Sequence, residues 1–121
     1  MPEFKVVISD PETGRAEQVE VKGPQAARLL GLKIGDVIDG AIVGKPGVKL
    51  RITGGSGKAG EPMRPDLPGG VKRRLLLSGP PGFHPRRRGE RRRKFVRGNT
   101  ITEDIVQVNA VVVRGGEVDK G

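Results

Sequence analysis

Apolar and polar residues alternate along most of this chain with a period of two, and a helical period is confined to one short stretch. FKVVIS (4–9) alternates well enough for a half-buried strand, DPETGR (10–15) has the composition of a turn, and AEQVEV (16–21) returns as a second strand. Together they predict a hairpin. After Gly23, the segment PQAARLLG places Ala27, Leu30 and Leu29 on a helical face, with Pro24 at a first helical position and Gly31 as a stop. One short helix is the most this supports.

LKIGDVIDGAIVG (32–44) reads as a tight turn at Gly35-Asp36 followed by one or two short strands. GVKLRIT (47–53) is a clearer strand, with Val48, Leu50 and Ile52 to one side and Lys49, Arg51 and Thr53 to the other. VKRRLLLS (71–78) is a further strand and DIVQVNAVVV (104–113) the longest. Between them lie a Gly/Pro-rich loop, 54–70, in which nine of seventeen residues are Gly or Pro, and an irregular basic arm, 79–98. Crossover helices for a parallel sheet are missing. The expectation is therefore a mainly β protein: a single domain over 1–121, built as a small, mostly antiparallel β-barrel of about six strands, with one short helix and a long basic loop.

Composition adds little to that picture except at two points. Val and Ile supply more than half of the apolar residues, a β-branched bias that suits strands. The absence of Cys removes disulfides, thiolate metal sites and cysteine nucleophiles. No apolar run approaches the ~20 residues of a membrane span and no signal-peptide pattern opens the chain, so a cytoplasmic protein is expected.

Charge changes the picture more. The formal net charge is +9, yet residues 72–97 hold eleven Lys or Arg against the single Glu90, and the remainder is slightly acidic. Between residues 84 and 97, Arg outnumbers Lys seven to one. Arg meets phosphates with a planar fork and stacks on bases, so this choice points to nucleic acid rather than to solubility. Like charges at i and i+4 oppose a helix in ERRRKFVR, and the arm is expected to order only against its partner. Phe83 and Phe95 lie inside it. Either stacks on bases or pins the arm to the body.

Other constellations carry less. GGSGKAG (54–60) lacks the phosphate-loop pattern, because Ile52 stands where a glycine is required and Ala59 follows Lys58 in place of Ser or Thr. His84 has only Glu90 nearby as an acidic companion, and the pairs Asp36/Asp39, Glu103/Asp104 and Glu117/Asp119 read as solvated turns. No enzyme, cofactor, metal site or small-molecule substrate is expected.

The stretches ITGGSGKAGEPM (52–63), VKRRLLLS (71–78), HPRRRGERRRKFVRG (84–98) and DIVQVNAVVV (104–113) resemble ribosomal protein six of the archaeal and eukaryotic small subunit. The likeness runs over almost the whole chain, and the order of GG-x-x-x-x-G-x-PM before PRRxGERxRKxVRG is specific to that family. It implies a β-barrel structural constituent of the small ribosomal subunit that binds small-subunit ribosomal RNA, beside neighbouring ribosomal proteins, and lacks a catalytic site. Carried over by position, the RNA-facing residues are Arg86, Arg87, Arg88, Arg91, Arg92, Arg93, Lys94 and Arg97, with Lys58, Lys72, Arg73 and Arg74 from adjoining motifs. The family usually has an acidic residue where Gly57 stands. Its eukaryotic members continue into a basic helix with a phosphorylated tail, whereas here no Ser or Thr follows Thr102, which implies the short archaeal form. The alternative is a free-standing RNA chaperone or regulatory RNA-binding module.

Overall fold

The computed structural model describes residues 3–113, so Glu117 and Asp119 lie outside the described residues. Seven strands form: β1 Glu3–Asp10, β2 Arg15–Lys22, β3 Val37–Asp39, β4 Lys49–Gly57, β5 Lys72–Leu77, β6 Arg92–Arg97 and β7 Ile105–Val113. The single α-helix among the described residues, α1 Gly23–Ala27, follows directly on β2 and buries Ala26. It starts one residue before Pro24 and stops before Gly31.

Five strands make one sheet in the order β2-β1-β7-β4-β3, and β5 and β6 make a second. The β1–β2 hairpin is present, with Phe4 opposite Val21 and Val6 opposite Val19. Among the described residues the strands pair antiparallel except β1 with β7, where Val6 lies beside Val108 and Ile8 beside Ala110. β7 is thus the spine, flanked by β1 and β4. The period of two places Phe4, Val6 and Ile8 of β1, Leu50 and Ile52 of β4, and Val108, Ala110 and Val112 of β7 in one core, which Ile105 joins across a register shift in β7, with Leu29 and Ile101 beside them.

The chain is mainly β, as its patterning predicts, but the barrel is not found: among the described residues the pairings give two open sheets rather than a closed ring. Two local differences have clear causes. The second short strand expected after Asp39 is a 3₁₀ turn, Gly40–Val43, because the Asp39 carboxylate accepts the Ala41 N–H at 2.9 Å and caps it. Gly54–Gly57, expected as loop, continues β4 past a bulge at Thr53, where Ile52 pairs with Ala110 and Gly54 with Asn109. The glycines there admit a close neighbour. A Cβ on Gly55 would strike the Gln107 carbonyl and come within 3.0 Å of Met63 Sδ.

That neighbour is the segment Glu61–Arg64. The Met63 N–H donates to the Gly55 carbonyl at 2.9 Å on one side, while Arg97 N–H donates to Pro62 O at 2.7 Å on the other. One extended stretch therefore joins β4 to β6, and through it the large sheet holds the small one.

Replacing fully buried Ile52 by Ala should lower unfolding free energy by about 2–5 kcal/mol, since the site cannot collapse around the lost atoms. Val106→Ala, at a 40% exposed position where the register of β7 shifts, should change it by less than about 1 kcal/mol. Urea melts of the two variants check this, and equal losses would place the core elsewhere.

Candidate nucleic-acid interface

The expectation of an irregular arm over 79–98 fails for its last third, which is strand. β5 and β6 pair over six residues, from Lys72 opposite Arg97 to Leu77 opposite Arg92. A helix would stack the arginines on one another, whereas a strand turns successive side chains to opposite faces. One face carries Leu75, Leu77 and Val96, which pack with Phe83 and Leu67 into a second small core. The other carries Lys72, Arg74, Leu76, Arg93, Phe95 and Arg97.

The two phenylalanines consequently part company. Phe83 is 8% exposed and pins the loop between β5 and β6 back onto the hairpin, while Phe95 is 54% exposed. Two further contacts shape the loop. The Arg86 N–H donates to Glu90 Oε1 at 2.7 Å, so the one acidic residue of the arm closes a turn. The Arg64 guanidinium donates to the Pro81 carbonyl at 2.9 Å while gripping the Asp66 carboxylate through Nε at 3.0 Å and Nη2 at 3.2 Å. Arg64 thereby anchors the loop's entry, and its hydrogen bond holds the Asp66 carboxyl below its ordinary value.

Ten of the residues named from the sequence are exposed: Lys72, Arg73 and Arg74 on β5, Arg86, Arg87, Arg88 and Arg91 in the loop, and Arg92, Arg93 and Lys94 on β6. Among the described residues none of these ten forms an ion pair within 4 Å. Arg86, Arg87, Arg92 and Lys94 border a hollow of about 460 Å³ between loop and strand, with His84 and Glu90 at its edge. Such a hollow suits an anion. Among the described residues no cluster of three His, Asp or Glu is placed to hold a metal ion, and no helix is long and apolar enough to cross a membrane.

Two of the twelve named residues stand apart. Lys58 follows β4, and its ammonium lies 3.9 Å from Asp104. Arg97 is 8% exposed, and its guanidinium donates to Glu61 Oε1 at 2.8 Å and to Asp104 Oδ2 at 3.5 Å. The structure gives Arg97 an internal task, at the root of the hairpin. Gly57 is fitted to it, since a Cβ there would fall on the Glu61 carboxylate and 2.9 Å from Arg97 Nε. Glu61 and Arg64 had no place in the sequence reading. The charged residues of this stretch, Lys58 and Arg64 with Glu61 and Asp66, balance in charge and carried no signal.

A small mainly β protein with one cationic, largely unpaired hairpin is thus the class that fold and site define. A family model described as Ribosomal protein S6e matches residues 4–119, so the chain belongs to the ribosomal protein S6e family. It is 59% identical over 117 residues to the small ribosomal subunit protein eS6 of Archaeoglobus fulgidus, covering 96% of this chain and 91% of that one. It is 56% identical over 118 residues to the protein of the same name from Pyrobaculum calidifontis, covering 93% of this chain and 78% of the relative. The Staphylothermus marinus relative is 64% identical over 98 residues, 81% of this chain but only 45% of its own length. The family is a structural, non-enzymatic component of the cytoplasmic ribosome.

Burial pushes the Glu61 carboxyl up, but a backbone hydrogen bond, the Arg97 hydrogen bond and charge, and the charge of Lys72 outweigh it and hold the group below its ordinary value. A carboxyl depressed in the folded state contributes stability at neutral pH, and that contribution fades as pH falls through the acid range. Arg97→Ala leaves the carboxylate buried without its cation and should cost about 3–5 kcal/mol near neutrality. In that variant the two lowering effects of Arg97 are gone and the carboxyl value rises relative to the parent. Its deficit should therefore shrink on acidification. Unfolding curves at neutral and acid pH check this, and a deficit independent of pH would show that the pair does not carry the effect.

Proposed function

We propose that this chain is a structural constituent of the small ribosomal subunit and that its β5–β6 hairpin binds ribosomal RNA through the phosphate backbone. Family membership and the names of its relatives support the first part. The second rests on one observation: ten exposed Lys and Arg side chains on a single hairpin and its loop, none in an ion pair among the described residues. Cations left without internal partners at this density repel one another, and closely packed phosphates relieve that repulsion while releasing their own counterions.

The mechanism is bracing. Lys72, Arg73, Arg74, Arg86, Arg87, Arg88, Arg91, Arg92, Arg93 and Lys94 neutralise phosphates that would otherwise keep RNA strands apart. The large sheet fixes where the hairpin enters, through the Glu61–Arg64 segment and the Arg97–Glu61 pair. Lys58, beside Asp104, borders this set, and Arg97 supports it from within. The body is read as a single domain of barrel-like form, its two sheets bridged by that segment. Neighbouring ribosomal proteins are its other partners, and no cofactor or small-molecule substrate enters the mechanism.

Replacing Arg91, Arg92 and Arg93 together by Ala should weaken binding to ribosomal RNA and lower the slope of log K against log salt by roughly two to three, about 0.9 for each lost phosphate contact. Filter binding at several salt concentrations measures both. An unchanged slope would remove these arginines from the interface.

A further inference from the structure

Of the three phenylalanines in the chain, Phe4 and Phe83 are buried and Phe95 alone is open. Its setting follows from the register of the hairpin. Phe95 on β6 lies directly opposite Arg74 on β5, and the diagonal neighbours on that face are Lys72 and Leu76. Arg93, two residues back along β6, points the same way. Leu76 is as exposed as Phe95, at 54%, so two apolar side chains stand in water side by side. The Lys72 ammonium sits over the Phe95 ring, 5.1 Å from its centre, and the residue remains more than half exposed. A cleft of about 320 Å³ runs along it, between the hairpin and the turn at Gly60 and Pro62.

We propose that this face of the hairpin holds an unpaired RNA base, stacked on Phe95 beside Leu76, with Lys72, Arg74 and Arg93 on the flanking phosphates. The proposal rests on the reading that the hairpin binds RNA, and it names the kind of RNA the face takes. Phosphate bracing alone gives Phe95 and Leu76 nothing to do. A duplex presents phosphates to the arginines but keeps its base faces stacked inside, whereas an unpaired nucleotide supplies a π face and a phosphate together. Charge decides against a protein occupant. Neither strand of the hairpin carries an acidic residue, so a protein docking here would need an acidic rim around an apolar centre, while a nucleotide strand has both by constitution.

The test uses the full chain with two probes, a short single-stranded RNA containing 2-aminopurine and a blunt RNA duplex of the same length. Phe95→Leu keeps an apolar side chain at an exposed position, and its thermal unfolding is compared with that of the parent chain. It should weaken single-strand binding roughly five- to a hundredfold, abolish the quenching of 2-aminopurine fluorescence, and leave duplex binding and the salt slope unchanged. Phe95→Trp should retain both the affinity and the quenching. Arg93→Ala should weaken binding to both probes and lower the slope. Equal loss on both probes with Phe95→Leu, or no loss on either, overturns the stacked base while the phosphate reading survives. If Phe95→Leu left RNA binding intact but reduced recovery of the chain in assembled small subunits, the patch would belong to a protein neighbour and the proposal would fall. Failure of the parent chain to bind either probe in a salt-dependent way would remove the RNA reading itself, and this one with it.

Discussion

At the root of the hairpin a guanidinium and a carboxylate occupy a space from which nearly all water is excluded. Taking Arg97 and Glu61 out of water costs several kcal/mol per ion, and only close, well-aligned contact offsets it. That contact is present at 2.8 Å, and much of the surrounding backbone accommodates it. β4 ends in a glycine so that the carboxylate can approach, and the Glu61 backbone is hydrogen bonded across from Gly57 at 2.8 Å. Asp104, just ahead of β7, meets the outer side of the guanidinium. Three elements distant in sequence thus converge on one charge. The direction in which the basic hairpin leaves the body follows from where that charge can be satisfied.

The strand conformation also solves a problem that a helix would have aggravated. Side chains four apart on a helix lie about 5–6 Å from one another, so an arginine run would crowd like charges along one stripe. In β6 neighbours point to opposite faces, and residues on the same face are separated by roughly twice the ~3.3 Å rise. Repulsion is lowered without any acidic partner. Cations are also displayed on both faces of the hairpin. Phe83 and Arg64 then hold the intervening loop against the body, one by packing and the other by its bond to the Pro81 carbonyl.

How much of this could be read from the chain depended on whether the determining contact was local. β1, β2, β4, β5 and β7 were legible because alternation is a property of neighbouring residues. So was the concentration of cations. β6 was hidden because charge obscured its alternation: Val96 is its only fully buried apolar residue, and its strand character comes from pairing with β5. The extension of β4 through Gly54–Gly57 was hidden because glycine and proline signal a turn until a partner strand claims them. Arg97 looked like its neighbours in the run. Only the fold, which brings Glu61 to it from thirty-six residues away, sets it apart.

The parallel pairing of β1 with β7 bears on how the chain is made. Val6 waits for Val108, so the spine of the main sheet is missing until translation has passed nearly the whole described chain. At roughly 5–20 residues per second that delay is several seconds or more, during which one edge of β1 is unpaired and its apolar face uncovered. The basic hairpin, by contrast, pairs strands from within residues 72–97 and precedes β7 in the chain. In a nascent chain of this topology the basic hairpin is therefore synthesised before β7, the strand that completes the main sheet. An RNA partner that met the chain early would encounter its charge ahead of its fold.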